Sequence, residues 1–305
     1  MKYCIIGAGS VGGYFGARLQ QAGESVTFLV RQGRKDQLLK EGLNVRSYLG
    51  DVSLKVEAET DEKSVKDCDV VILAIRNYHF DESTLSKVVY FASKGSKVIS
   101  FLNGVEHMER LRSVINDNQI IGGSAFIDSR LSANGEIVHR GQEPTIILGS
   151  LKGNITSEIK KMSSALEKAG VKCIIAEDLM KSLWRKYLFV MMGTLTGVAN
   201  SSIGGIVSNS WLNNTLERFA HELKSVAERE KVKLDDASVN EMLLEIRGMR
   251  KEWKSLLAED LESGKRTELD SLWGYLIRKA EKHKLNLPIS EMSYGILKLR
   301  ESADR

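Results

Sequence analysis

The sequence is poor in the residues that mark several classes of protein. Its three cysteines, Cys4, Cys68 and Cys173, are far apart and form neither a CxxC pair nor a cluster with histidine. They are therefore expected to be buried thiols in a reducing compartment. Proline occurs only twice, and neither an internal repeat nor a low-complexity stretch is visible.

Long apolar runs are also missing. No run reaches the roughly 18 residues expected of a membrane span, and a glycine motif beginning at Gly7 leaves no room for a signal peptide. A cytoplasmic protein is therefore expected. The five histidines show no metal-ligand spacing, so no metal is predicted.

Charge is nearly balanced along the chain. The formal net charge of +4 comes from 44 basic and 40 acidic residues, without a block of one sign or a basic patch that carries aromatic residues. This pattern argues against a nucleic-acid-binding module. We expect a small, anionic substrate. The sequence does not specify the oligomeric state, and a homodimer is possible.

The order of apolar segments predicts two domains. Residues 1–176 contain seven short apolar runs separated by helix-like segments, which is typical of a parallel sheet covered on both faces: YCIIGA, SVTFLV, DVVILAI, KVISFL, QIIGGSAF, TIILGS and VKCIIA. Residues 177–305 instead show helical periodicity. The predicted fold class is α/β, with an N-terminal Rossmann-type doubly wound sheet and an all-helical C-terminal domain.

The first run leads directly into a glycine-rich loop. In CIIGAGSVGGYFGARL, glycines 7, 9 and 12 form G-x-G-x-x-G between a strand and a helix. Such a loop brings the backbone close to a pyrophosphate at a helix N-terminus. We predict dinucleotide binding by Gly7, Ala8, Gly9, Ser10, Val11 and Gly12; glycine turns in another α/β protein are the alternative.

The second strand ends in a basic stretch, RQGRK, where an NAD-selective site would offer an acidic residue. Arg31, helped by Arg34 or Lys35, is suited to pair with a 2′-phosphate. NADPH is therefore the predicted cofactor, and a solvated basic loop is the alternative.

A single lysine stands in the apolar stretch LWRKYLFVMM. Lys186 either extends its ammonium group to water along an apolar surface, as lysines often do, or points into a site. Spacing alone leaves both interpretations open.

Five stretches in order make the chain resemble the ketopantoate reductase (2-dehydropantoate 2-reductase) family along its length: GAGSVGG, FLNGVE, GEIVHRG, LWRKYL and RTELDSLWGYLIRKAEKHKLNLP. The resemblance implies a Rossmann domain, a helical domain and an active site in a cleft between them. It also implies NADPH-dependent reduction of 2-dehydropantoate to pantoate in pantothenate and coenzyme A biosynthesis.

The resemblance also implies site residues. Lys186 matches the lysine that acts as general acid, and Glu268 matches a catalytic glutamate beside the nicotinamide ribose. Asn103 matches an asparagine that holds the cofactor, and Arg76 replaces a cofactor-binding lysine. Alternatives are a first-turn helix acid for Glu268 and a simple turn for Asn103.

The chain departs from the family where substrate contacts are expected. Val190 and Thr194 stand one and two helical turns beyond Lys186 in place of asparagines, Gly204 replaces a third asparagine, and Leu256 replaces a serine, with Ser255 adjacent. Lys186, Val190, Thr194 and Ser255 are the predicted substrate-binding residues. One alternative is a paralogous reductase of another 2-oxo acid or carbonyl. A non-catalytic dinucleotide sensor is another, but it predicts loss of Lys186 or Glu268, and both are present.

Overall fold

The computed structural model describes residues 1–141 and 143–303, which form two compact units. The first unit contains residues 1–102 and 107–179; the second contains residues 103–106 and the chain from Met180 onward. The predicted boundary after Ala176 lies three residues before this division. No sequence pattern indicates that residues 103–106 group with the later helices. Among the described residues, no helix is both long and apolar enough to cross a membrane.

The first unit contains the strands of the molecule. In chain order they are β1 (Lys2–Ile6), β2 (Ser25–Leu29), β3 (Leu43–Arg46), β4 (Val52–Leu54), β5 (Glu57–Glu59), β6 (Val70–Leu73), β7 (Lys97–Ser100), β8 (Ile120–Phe126), β9 (Ser129–Leu131), β10 (Ile137–His139), β11 (Thr145–Ser150) and β12 (Lys172–Ile175). The helices that start among them are α1 (Ser10–Gln21), α2 (Gln32–Glu41), α3 (Glu82–Ser93), α4 (Glu106–Arg112) and α5 (Ser157–Lys168).

Eight strands form the main sheet in the order β12-β11-β8-β7-β6-β1-β2-β5. All seven predicted strands lie in this sheet, which confirms the α/β fold class. The prediction of a wholly parallel sheet is wrong for one pair, because β11 runs antiparallel to β8. Thr145 begins β11 opposite Phe126, the last residue of β8, so the chain returns at the same end of the sheet without crossing over it.

The sequence did not predict the smaller strands. The acidic edge strand β5 and the second sheet, in the order β4-β3-β10-β9, consist of segments of three or four residues. Such segments carry no continuous apolar run and are hard to distinguish from loops by pattern. The other seven strands of the main sheet are nevertheless those that the apolar runs predict.

The second unit is helical. Its helices are α6 (Leu179–Val198), whose first residue closes the first unit, α7 (Ile203–Ser208), α8 (Ser210–Arg229), α9 (Asp236–Arg247), α10 (Leu256–Glu262), α11 (Tyr275–His283) and α12 (Pro288–Ala303). A π-helical turn, Asp270–Gly274, leads directly into α11. Its Trp273 is fully buried and stacks on Phe219 of α8, with ring centroids 5.0 Å apart. This aromatic pair anchors the π-helical turn in the core of the unit.

Candidate active site

The glycine loop follows β1 at the carboxyl end of the sheet, where β6 and β2 are the neighbours of β1. Gly7 has φ +104°, and a Cβ there would lie 2.6 Å from the Ala74 carbonyl oxygen. A Cβ at Gly12 would lie 2.1 Å from the Gly7 carbonyl oxygen. The protein's own backbone therefore requires both glycines.

Gly9 is different, because a Cβ built there meets nothing within 4 Å. It occupies the N-cap position of α1, where no side chain caps the first amides of the helix. Packing within the protein does not explain this glycine. A pyrophosphate group that approaches the loop backbone does, and the local geometry therefore fits a dinucleotide.

The basic residues after β2 have different partners. Arg34 donates to the carbonyl oxygens of Ala8 and Gly135, and Lys35 pairs with Glu59 at 2.7 Å. Arg31 is exposed, and its Nη2 lies 3.0 Å from Nδ1 of His79. Arg34 and Lys35 are thus engaged in holding the fold, which leaves Arg31 as the stronger candidate for contact with a 2′-phosphate.

His79 was not predicted as a site residue. It belongs to a short 3-10 helix, Asn77–His79, that follows β6, and Arg76 precedes this helix at its N-cap position. Because β6 and β2 flank β1, the topology brings His79 and Arg31 together although 48 residues separate them. His79 is the single histidine of AIRNYHF and carries no spacing signal, so only the strand order could reveal the contact.

Lys186 is buried in the helical unit, with 9% of its surface exposed. Burial lowers its pKa to about 8, and the nearby Glu268 carboxylate opposes this shift by raising the pKa. The ammonium group therefore does not extend into water, and the snorkelling alternative does not describe this side chain. A lysine with a pKa near 8 can both hold and release a proton close to neutral pH.

Glu268 lies just before the π-helical turn and is 6% exposed. Its Oε2 accepts a hydrogen bond from Nδ2 of Asn103 at 3.3 Å. The structure thus brings together three predicted site residues, Lys186, Glu268 and Asn103, in one unit. Lys186 can act as a proton donor, and the Glu268 carboxylate favours the charged form of this lysine. The Asn103 amide fixes the carboxylate.

The predicted contact of Thr194 with substrate gains no support from its position in the core. Its hydroxyl donates to the carbonyl oxygen of Met191 at 2.5 Å and accepts from Nε1 of Trp273 at 2.9 Å, and the residue is 1% exposed. Thr194 does lie two turns beyond Lys186 on the same face of α6, as the helical spacing predicts. At that position, however, this face of the helix is already within the core. Val190, one turn from Lys186, is half-buried and remains a candidate for substrate contact.

Ser255 is also committed to the fold. Its hydroxyl caps α10 by accepting from the Ala258 amide at 3.2 Å, and it lies 3.0 Å from the Thr196 hydroxyl. The predicted contact of Ser255 with substrate therefore gains no support from its bonding, which the fold accounts for. Gly204 leaves no room for an asparagine without a backbone shift, because its Cβ would lie 2.7 Å from the Lys251 carbonyl oxygen. Leu256 is the first residue of α10 and half-buried.

A metal centre has no support in the part of the chain that the structure describes. Within residues 1–141 and 143–303, no group of three or more histidine, cysteine, aspartate or glutamate side chains is arranged to hold an ion.

The chain is similar to known proteins over nearly its whole length. Residues 3–153 match the family model described as ketopantoate reductase PanE/ApbA, and residues 178–301 match its C-terminal counterpart. An uncharacterized oxidoreductase, YkpB, from Bacillus subtilis is 34% identical over 99% of both chains. A crystal structure of a PanE/ApbA family ketopantoate reductase from Ralstonia eutropha has a TM-score of 0.89 at 25% identity, covering 100% of this chain and 99% of that one.

The same fold occurs in a D-mandelate dehydrogenase solved with NADH and anilino(oxo)acetate. That structure has a TM-score of 0.88 at 21% identity and covers 100% of this chain and 99% of its own.

Two glycine substitutions test the interpretation of the loop. Gly9→Ala is expected to leave the thermal midpoint unchanged and to weaken dinucleotide binding about tenfold or more, because the added methyl group fills only the open space. Gly16→Ala is the control: its Cβ would lie 2.5 Å from the Phe28 ring, so it should destabilise the fold by about 1–3 kcal/mol. Thermal melts and cofactor titrations measure both effects. Unchanged cofactor affinity in Gly9→Ala would refute the pyrophosphate assignment.

Proposed function

The chain belongs to the ketopantoate reductase PanE/ApbA family of oxidoreductases, and we propose that it reduces a 2-oxo acid with NADPH. The first candidate substrate is 2-dehydropantoate, which would be reduced to pantoate. The observation that carries the proposal is the burial of Lys186 beside Glu268, with a pKa lowered to about 8. A buried ammonium group has a desolvation cost that a purely structural residue would avoid.

Reduction of a carbonyl group requires a hydride at its carbon and a proton at its oxygen, and the two come from different sources. The hydride for the carbonyl carbon of the substrate would come from a nicotinamide dinucleotide when it is bound at the glycine loop. Lys186 donates a proton from Nζ to the carbonyl oxygen as negative charge develops there. Glu268 favours the protonated form of the lysine before the reaction, and Asn103 holds the Glu268 carboxylate by donating to Oε2. The low exposure of Lys186 and Glu268 excludes water, which strengthens each of these interactions.

Exchange of Lys186 tests the proton donor. Turnover of the wild type with the best substrate in a panel of 2-oxo acids that includes 2-dehydropantoate should fall as pH rises through about 8, since the donor must be protonated. Lys186→Ala should lower turnover about 10²- to 10⁴-fold without loss of the folded state. The measurements are NADPH oxidation and circular dichroism. Wild-type turnover in Lys186→Ala would contradict the assignment, and absence of activity with every 2-oxo acid would contradict the proposed function.

Arg31 supports NADPH as the cofactor. It is exposed within the RQGRK stretch, whereas Lys35 forms an ion pair with Glu59. A guanidinium group binds a phosphate dianion through charge-assisted hydrogen bonds, which NADH cannot form at its 2′-hydroxyl.

Arg31→Asp should therefore weaken NADPH binding much more than NADH binding, because a carboxylate would repel the 2′-phosphate. Dissociation constants for both cofactors provide the measurement. Lys35→Asp is a control for the local change of charge and should affect the ratio of the two constants far less. An equal loss of affinity for both cofactors in Arg31→Asp would show that this residue does not recognise the phosphate.

A second candidate is a paralogous reductase of another 2-oxo acid. It is supported by three positions at which the resemblance expects asparagines that bind substrate: Val190 offers no hydrogen bond, the Thr194 hydroxyl is already satisfied, and Gly204 has no room for an amide. These features remove polar partners that a hydroxylated substrate would use. The D-mandelate dehydrogenase shows that this fold also occurs in a protein named for a substrate other than pantoate.

Val190→Asn distinguishes the two candidates. The amide should improve discrimination for 2-dehydropantoate over 2-oxo acids with plain alkyl tails, by about 0.5–1.5 kcal/mol for one neutral hydrogen bond. The ratio of kcat/KM values for the two kinds of substrate measures this change. Thr194→Asn is not a useful companion variant, because the substitution would disrupt the hydrogen bond from Trp273. An unchanged ratio in Val190→Asn would exclude Val190 from contact with the substrate.

A further inference from the structure

A short segment, residues 103–106, lies along the turn that carries Glu268. Although the chain before and after it belongs to the first unit, this segment groups with the helical unit. Its first residue, Asn103, donates to Glu268, and its last, Glu106, pairs with Arg278 of α11. We call residues 103–106 the bracket segment and residues 268–278 the glutamate turn.

The middle of the bracket segment packs closely on the glutamate turn. Gly104 has φ +82°, and a Cβ there would lie 3.3 Å from Cδ2 of Leu272 and 3.6 Å from the Ser271 carbonyl oxygen. The Leu272 carbonyl accepts a hydrogen bond from the Tyr187 hydroxyl at 2.7 Å. Burial raises the pKa of Tyr187 well above its ordinary value, so this hydroxyl remains a donor. The residue after Lys186 thus helps to fix the surface that the bracket segment contacts.

The outer contact is an ion pair. Nη2 of Arg278 lies 2.5 Å from Oε1 of Glu106, and the two side chains are 53% and 29% exposed. Gly274 helps to make room for the guanidinium group, since a Cβ at that position would lie 3.0 Å from Nη1 of Arg278. An ion pair this exposed adds little to global stability. Its geometric effect is larger, because it fixes one end of a segment whose other end contacts Glu268.

We propose that Glu106 and Arg278 are positioning residues for the reaction: their ion pair holds the bracket segment so that the Asn103 amide stays on the Glu268 carboxylate. The inference rests on the proposed role of Lys186 as proton donor. It extends the site to a pair of residues that do not touch the reacting atoms. Loss of either residue frees the segment, loosens Glu268 and weakens its support of the charged lysine.

A simpler explanation of Glu106 is available. It is the first residue of α4, where a carboxylate interacts favourably with the helix dipole. This explanation predicts a small loss of stability when Glu106 is removed, no dependence on Arg278, and no effect on the ionisation of Lys186.

The experiment uses the full-length protein and a double-mutant cycle. The variants are Glu106→Ala, Arg278→Ala, the double variant, and the charge swap Glu106→Arg with Arg278→Glu. Lys282→Ala is the matched control, because Lys282 lies one turn further along α11 and pairs with Glu230 instead. Each protein is assayed for kcat, KM, the pH profile of turnover and the thermal midpoint. The pKa of Lys186 is measured separately by NMR of the labelled side chain.

Each single variant should lower kcat about tenfold, which is less than the roughly 10²-fold that a full 1 Å misplacement of a reacting group can cost. The alkaline limb of the pH profile should move to lower pH, because the lysine loses part of the support from Glu268. The double variant should be no worse than either single variant, since both remove one contact. The charge swap should recover most of the activity, and Lys282→Ala should match the wild type.

Additive losses in the double variant, no recovery in the charge swap, or an unmoved pH profile would overturn the proposal. The NMR measurement separates this outcome from failure of the proposed function. If the wild type reduces no 2-oxo acid, the positioning role still requires a lower Lys186 pKa in Glu106→Ala than in Lys282→Ala. Equal pKa values in these two variants would refute it.

Discussion

The site depends on one balance, between the desolvation of Lys186 and the charge of Glu268. Burial of an ammonium group favours its neutral form, and a nearby carboxylate favours its charged form. In this protein the two effects leave the pKa of Lys186 at about 8. A more exposed lysine would hold its proton too firmly at neutral pH, and a buried lysine without the carboxylate would lose it. The other parts of the helical unit can be understood as means of keeping this pair in place.

Two kinds of contact maintain that balance. Aromatic residues fix the π-helical turn from inside: Trp273 stacks on Phe219 and donates to Thr194, while Tyr187 donates to the Leu272 carbonyl. Polar contacts act from the other side, through Asn103 on Glu268 and Arg278 on Glu106. A π-helical turn is wider than a turn of an ordinary helix, and such turns are frequent at functional sites. Here it begins two residues after the glutamate that supports the lysine.

The sequence predicted the features that depend on local pattern and missed those that depend on distant partners. Continuous apolar runs located every long strand, and the glycine spacing located the loop before α1. Helical spacing correctly placed Val190 and Thr194 on the face of Lys186, but it could not show that Trp273, 79 residues away, already satisfies the threonine hydroxyl. For the same reason, local spacing does not show that the Ser255 hydroxyl caps α10 and lies beside Thr196. The Arg31–His79 contact and the antiparallel β11 both follow from strand order, which local periodicity does not encode.

The most direct test of this account is an NMR titration of Lys186, with ¹³C-labelled lysine and assignment by Lys186→Arg. The account predicts a pKa near 8 in the wild type. It also predicts a lower pKa in Glu268→Gln, because the substitution removes the charge that opposes desolvation. A wild-type value near 10.5, the ordinary value for lysine, would show that the ammonium group is solvated and would contradict its role as a tuned proton donor. An unchanged value in Glu268→Gln would show that the carboxylate does not act on it.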